Sequence, residues 1–358
     1  MPEAPASTQA PQGARADGDP GDVDVVLVAG NSRSGTTMLA RMLGRHPRVV
    51  DLGELHFAEE MWLPADRDRA LGGDEALALA DRLLHNRREW YHRPHVPGAF
   101  AEVAREALAP LAERPGPVRG HDVLAAVLAH EAAAEGGDVA LEQTPRNVFY
   151  LTELLDLLPR ARAVVLVRDP RDVLLSQKNW WRRRFRGTSG VPLATTFRQW
   201  ADYHPLTTSL LWRGGVRAGL RAAEHPRVAL LRFEDLVQDP QGELERLLRP
   251  WGLDVAPGML DVPRISSSNS TDRGGSGVDP SVVGQWRTGL GRAETWLSQR
   301  VTAPEAQRLG YAPVPLRPPV LRLAGQALAL PGKTALAVAL NRGRSRSLLT
   351  SVRRRLRG

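Results

Sequence analysis

A parallel α/β sheet with helices on both faces is the fold this sequence predicts, and three observations predict it. Short β-branched apolar runs recur along the chain, each followed by a stretch with helical spacing. The first run ends in a Gly-x4-Gly loop that opens directly into a helix. The chain has 358 residues, 42% of them hydrophobic, enough for one large α/β domain with a real core.

The elements follow in order. Residues 24–29 (DVVLVA) read as a buried parallel strand ending at Gly30. Residues 36–45 carry Met38, Leu39, Met42 and Leu43 on one helical face, and His46-Pro47 stops that helix. Residues 49–52 are a second short strand. Residues 64–137 are rich in Ala, Leu, Arg and Glu and read as helices broken at Gly72-Gly73, at 94–98 and at 115–117. Further strands are expected at 139–142, 163–167 and 228–233, with helices at 145–158, 170–181, 193–224 and 241–251. Residues 1–22 form a leader rich in Pro, Ala, Gly and Asp, expected to be disordered and unlike a signal peptide. Residues 23–314 make the domain. Residues 315–358 form a basic tail outside the sheet, and no segment reads as a transmembrane helix.

There is no cysteine, which removes disulfides, thiolate nucleophiles and cysteine metal sites, and fits a cytoplasmic protein. The formal charge is +8, and arginine supplies nearly all the positive charge; the lysines are Lys178 and Lys333. Arginine's planar fork suits phosphate and sulfate oxygens, although arginine-rich coding alone would give the same balance.

The loop Gly30-Asn31-Ser32-Arg33-Ser34-Gly35-Thr36-Thr37 lies between strand and helix, where backbone N–H groups and the helix dipole cradle phosphate. Its spacing is that of a nucleoside-triphosphatase P-loop, but Thr36 stands where the lysine should be. A loop with Arg33 placed early and two threonines after the glycine suits a 5′-phosphate with a sulfuryl group better than a triphosphate. At the end of the strand 163–167 comes Arg168, with Ser176 eight residues on, two turns along the next helix. An arginine and a hydroxyl so placed at the carboxyl edge of a parallel sheet can grip a phosphate together.

Residues 32–39 (SRSGTTML) and the Arg168/Ser176 pair resemble the two phosphate-binding motifs of sulfotransferases that use 3′-phosphoadenosine-5′-phosphosulfate. The loop is similar to that of bacterial members and of the tyrosylprotein and heparan branches. The resemblance implies the P-loop-like sulfotransferase fold. It implies that Arg33, Ser34, Gly35, Thr36 and Thr37 surround the 5′-phosphosulfate, and that Arg168 and Ser176 hold the 3′-phosphate. Phe233, in a Phe-Glu-Asp-Leu stretch similar to the family's Tyr-Glu-Asp-Leu, would lie by the adenine. Gly284-Gln285-Trp286-Arg287 and Leu309-Gly310-Tyr311 resemble the family's closing segments, with Arg273 a substitute for a basic loop that has no clean counterpart. The resemblance runs through about residues 24 to 312, weakly between 60 and 138. It implies a hydroxylated acceptor and no required metal.

Sulfuryl transfer needs a group to take the acceptor's proton, and donors aimed at the developing charge. Gly53-Glu54-Leu55-His56-Phe57 follows the second strand, and by resemblance Glu54 is the base; His56 is the rival, since its ring titrates nearer neutrality. Glu142-Gln143-Thr144-Pro145 is similar to a family segment reading Glu-Lys-Thr-Pro. Gln143 thus stands in a catalytic place without the lysine's charge, a gap that Arg146 would have to fill. Two other classes stay open. A P-loop nucleotide kinase would need the missing lysine. A non-enzymatic module would bind nucleic acid or anionic membrane through segments such as Trp180-Trp181-Arg182-Arg183-Arg184-Phe185-Arg186. Nucleic acid is not the expected partner, whereas peripheral contact of the basic tail with an anionic membrane is in keeping with its composition. Acceptor identity and oligomeric state are not encoded in any pattern here.

Overall fold

Five strands form at the five apolar runs, and all pair in parallel in the order β2-β3-β1-β4-β5. The structure is a computed structural model describing residues 23–91, 93–186, 192–263, 276–341 and 353–355. The leader 1–22 and Arg273 lie outside the described residues. The chain runs through β1 (Asp24–Gly30), α1 (Thr36–Leu43), β2 (Val49–Asp51), α2 (Gly73–His85), α3 (Ala101–Ala112), α4 (Gly120–Ala134) and β3 (Val139–Glu142). It continues with α5 (Leu151–Leu157), β4 (Ala161–Val167), α6 (Pro170–Lys178), α7 (Leu193–Asp202), α8 (Pro205–Ala222) and β5 (Val228–Arg232). The last elements are α9 (Phe233–Gln238), α10 (Pro240–Leu248), α11 (Trp286–Gly289), α12 (Arg292–Arg308) and α13 (Val320–Leu340).

Period-two alternation in β1 divides the core. Val25, Leu27 and Ala29 join Ala163, Val165 and Val167 under α4 and α8, while Val26 and Val28 join Val164 and Leu166 under α1 and α10. With both faces covered, the central strands β1 and β4 are apolar at residues 25–29 and 163–167. Gly30 pairs with Leu166, so β1 and β4 end level. Their following loops leave to opposite sides of the sheet, which makes the crevice between them the switch point of the topology.

Several boundaries differ from expectation for local reasons. The helix expected at 145–158 begins as a 3-10 turn, Pro145–Phe149, because Asn147 turns its amide back to Glu142 Oε2 at 2.6 Å. The long helix expected at 193–224 is two, since Pro205 starts α8 and His204 caps it by accepting from Leu206 N–H at 3.2 Å. The helix after Arg168 ends at Lys178, and Trp180–Arg186 form a 3-10 turn. Phe233 opens α9 rather than ending β5.

The tail also differs. Val320–Leu340 is one helix of 21 residues, long and apolar enough by length and composition to cross a membrane, with none of that stretch buried. Arg322, Pro331 and Lys333 interrupt its apolar pattern and mask it in the sequence. It lies along α7: Lys333 donates to Trp200 O at 3.0 Å, His204 Nε2 to Gln326 O at 3.0 Å, and Asn341 to Asp202 at 2.8 Å. Farther on, Arg354 donates to Phe149 O at 2.7 Å, and Arg355 pairs with buried Glu59.

Candidate functional site

The loop after β1 is shaped by its glycines. Gly30 has φ 153°, and a Cβ there would sit 2.3 Å from Leu166 O; Gly35 has φ 99°, and a Cβ there would meet the Phe233 ring at 2.5 Å. Arg33 takes a left-handed φ of 75° between them. Ser34 N–H donates to Asn31 O at 3.1 Å, and Asn31's own amide donates to Trp212 O at 3.0 Å, which ties the loop to α8. Ser34 Oγ is wholly buried and has no partner among the described residues. A buried unpaired hydroxyl inside such a loop is a donor waiting for an acceptor.

The two motifs meet. Arg33 Nε donates to Ser176 Oγ at 3.1 Å, and the Arg33 guanidinium lies 5.5 Å from the centre of the Trp180 ring. Arg168 donates to Arg33 O at 3.4 Å and to Val282 O at 2.8 Å, and stacks on Phe233 at 4.3 Å. Its neighbouring acids are engaged elsewhere. Asp169 pairs with Arg171 at 2.7 Å, and Asp172 accepts from the N–H groups of Gly284 at 2.7 Å and Trp286 at 2.9 Å. Arg168 is therefore no ion-pair ornament of its own helix. Burial lowers its pKa from the usual guanidinium range, and its Nε has no partner among the described residues. A buried cation held by carbonyls is stabilised by an anion brought to it.

Phe233 is buried, with Arg168 on one side and Gly35 against its edge. It braces the arginine instead of presenting an open face.

On the other side of β1 the ends of β2 and β3 carry the acids. Leu52 N–H donates to Leu141 O and Gln143 N–H to Gly53 O, both at 2.8 Å, which brings Glu54 to His56 beside residues 142–144. Gln143 is buried and donates through Nε2 to Thr36 Oγ1 at 3.1 Å. It so reaches the loop after β1. Arg146, by contrast, faces Glu60 at 3.9 Å. Glu54 Oε2 lies 3.0 Å from His56 Nε2. Glu54 is about one-third exposed, its side chain at 29%, whereas the His56 ring is buried, 3.9 Å from Tyr91, with left-handed backbone at φ 54°.

Glu142 is the hub that sequence reasoning missed. Its carboxylate accepts from Leu55 N–H at 3.1 Å, Thr144 N–H at 3.3 Å, the Thr144 hydroxyl, and Asn147 at 2.6 Å. Burial pushes its pKa up to about 7, against the pull of those donors. The available signal was an acid ending an apolar strand and followed by Thr, Pro and Asn. Asp172, which anchors the segment at 284–286, carries no such signal, because its partners are backbone N–H groups more than a hundred residues away. Thr37 and Thr36 open α1, Thr36 buried and Thr37 exposed.

Comparison with known proteins identifies the family. The profile of the sulfotransferase family matches residues 25–257, more than half of the chain. Nodulation protein NoeE of Sinorhizobium fredii is 26% identical over 280 residues, 74% of this chain and 60% of that one. Human carbohydrate sulfotransferase 6 is 30% identical over 210 residues, 52% of this chain and 51% of that one. The chain thus spans half to three-fifths of the length of these two relatives. A sulfotransferase domain from the olefin synthase of Synechococcus PCC 7002 superposes with a TM-score of 0.48 at 20% identity, covering 82% of this chain and 95% of that one. The match begins in β1, runs through both phosphate motifs and the β2–β3 acids, and ends beyond α10: the chain belongs to the sulfotransferase family.

Proposed function

We propose that the protein transfers a sulfuryl group from 3′-phosphoadenosine-5′-phosphosulfate to a hydroxyl of a small-molecule, glycan or peptide acceptor. The observation that carries this reading is the 3.1 Å hydrogen bond from Arg33 to Ser176, which joins the two phosphate motifs at one sheet edge. The residues fit the donor. Ser34 Oγ and Arg168 Nε are buried and unpartnered among the described residues, so both are available to anionic oxygens. Arg33, Ser34, Gly35, Thr36 and Thr37 would hold the 5′-phosphosulfate, with Arg168 and Ser176 on the 3′-phosphate and Phe233 keeping Arg168 in place.

Bound there, the donor supplies the sulfuryl group, whose bond to the 5′-phosphate oxygen breaks as one to the acceptor oxygen forms. Glu54, the more open member of its pair with His56, takes the acceptor's proton, and the His56 ring fixes the carboxylate's orientation. Gln143 occupies a lone pair of Thr36 Oγ1 and leaves that hydroxyl's own proton to donate elsewhere. Arg33 supplies the positive charge that Gln143 lacks. No metal is needed for these roles. A cytoplasmic setting fits a chain without cysteine. Among acceptors a sugar hydroxyl comes first, a preference supported by the carbohydrate sulfotransferases among the relatives; the tyrosylprotein and heparan likeness of the loop keeps peptides and glycans in the panel.

Calorimetry tests the donor. 3′-Phosphoadenosine 5′-phosphate should bind at least about tenfold more tightly than ATP with magnesium, because a charge-assisted contact to the 3′-phosphate is worth roughly 1.5–3 kcal/mol. Equal affinities would overturn the reading in favour of a nucleotide kinase. Labelled donor with a panel of sugars, peptides and small alcohols, read by mass spectrometry, then identifies the acceptor.

A further inference from the structure

We propose that α13 and the adjoining face of α7 form a docking surface for an anionic lipid bilayer, on which the protein lies without spanning it. The helix has apolar side chains on two faces. Leu323 and Leu330 turn toward the body and are half-buried, while Leu321, Ala324, Leu328, Pro331, Ala335 and Val338 recur at intervals of three and four on the outside, and all are exposed. Leu321 is 90% exposed and Leu328 83%. Beside them α7 adds Phe197 and Trp200, stacked at 5.6 Å and themselves 49% and 41% exposed. A helix apolar all round belongs in a core or a membrane, and a continuous apolar face of this kind marks an interaction surface.

Charge selects the partner. From residue 306 to the end, the sequence has eleven Lys and Arg and no Asp or Glu; the rest of the chain has 37 basic against 40 acidic residues. All the net positive charge therefore lies in the C-terminal stretch of sequence that contains this helix, with Arg317 just before it and Arg322 and Lys333 within it. An apolar face flanked by arginines, on a body of slight negative charge, is complementary to a surface that is apolar beneath and anionic on top. A second copy of the chain would bring the same uncompensated charge against itself. The helix is also tied down along its length, through Gln326, Lys333 and Asn341, to the ends of α7 and α8. Lys333 lies 3.3 Å from the centre of the Trp200 ring. A helix so held presents its outer face and keeps its inner one on the protein, the arrangement of an interfacial helix.

Flotation of the full chain with vesicles of phosphatidylcholine and phosphatidylglycerol in equal parts, and of phosphatidylcholine alone, tests this. The protein should rise with the anionic vesicles, remain behind with the neutral ones, and be released by high salt. Replacing Leu321→Glu and Leu328→Glu together should reduce the bound fraction by about tenfold or more, with the melting temperature unchanged because both side chains are exposed. Failure to float with anionic vesicles at low salt overturns the proposal. So does equal binding to both vesicle types. A dimer in sedimentation that the double variant dissolves would assign the face to a second copy, and resistance to alkaline carbonate extraction would make α13 a spanning helix.

Discussion

The guanidinium of Arg168 lies 4.3 Å from the centre of the Phe233 ring, with its Nη2 on Val282 O and its Nη1 on Arg33 O. One side chain thereby links the end of β4, the start of α9, the phosphate loop and the segment before α11. Its hydrogen bonds go to carbonyls and its face to a ring, while Asp172, Glu234 and Asp169 act on its charge from farther off.

Arg168→Ala should weaken binding of 3′-phosphoadenosine 5′-phosphate by roughly ten- to a hundredfold. Phe233→Ala should also weaken it, but with a lower melting temperature, since it empties a buried site against Gly35. Calorimetry and thermal melts on the two variants separate the effects. Unchanged affinity in a folded Arg168→Ala protein would show that Arg168 only braces the loops.

The C-terminal arginines give a second expectation. Glu59 is buried at 1% exposure, has left-handed backbone at φ 78°, and is paired with Arg355. Removing one partner leaves an uncompensated buried charge. Arg355→Ala should therefore destabilise by about 3 kcal/mol, and Glu59→Gln in the same chain should restore part of the loss. Denaturant melts on both variants and the double variant check it. An additive cycle would mean that the pair is not formed in solution.

The sheet was legible because both faces of its central strands are buried, which forces the apolar runs at 25–29 and 163–167. That the loop 30–37 and the Arg168/Ser176 pair lie at the ends of neighbouring strands was legible for a related reason: glycines and fixed spacing are set by the chain's own geometry. Glu142 was not: three of its four donors come from Thr144 and Asn147 just beyond it, but the turn that aims them back and the Leu55 N–H from after β2 are set by the fold. Family likeness puts Phe233 at the adenine, and the positive φ of Gly35, which brings the loop down on that ring, is invisible in the letters. The tail read as separate because its contacts with α7 are single hydrogen bonds rather than a pattern.

A third prediction concerns pH. The folded pKa of Glu142, about 7, is above the ordinary carboxylate value of 4.5. Folding then favours its protonated form, so stability falls as pH rises from about 4.5 to about 7 and is level above that. The total is on the order of 3 kcal/mol, since a difference of one between folded and unfolded pKa values is worth about 1.36 kcal/mol. Glu142→Gln removes the titration. Denaturant melts should show the wild type losing ground to the variant across that window, and parallel curves would place the Glu142 pKa in the ordinary range.

The last prediction separates proton transfer from orientation in the Glu54–His56 pair. Glu54→Gln keeps the side chain's shape and its reach to the His56 ring but removes the charge, and should lower turnover by about 10²–10⁴-fold. Donor affinity should hold or rise slightly, because an anionic group near the sulfuryl position has gone. His56→Ala should cost less. The ring is buried against Tyr91 and its Nδ1 lies 3.7 Å from Glu60, so its deletion frees Glu54 to move but leaves its carboxylate intact. Rates on an accepted hydroxyl, with donor affinity measured in parallel, supply the comparison. A nearly inactive His56→Ala beside an active Glu54→Gln would give the proton to the imidazole and leave Glu54 as the group that orients it.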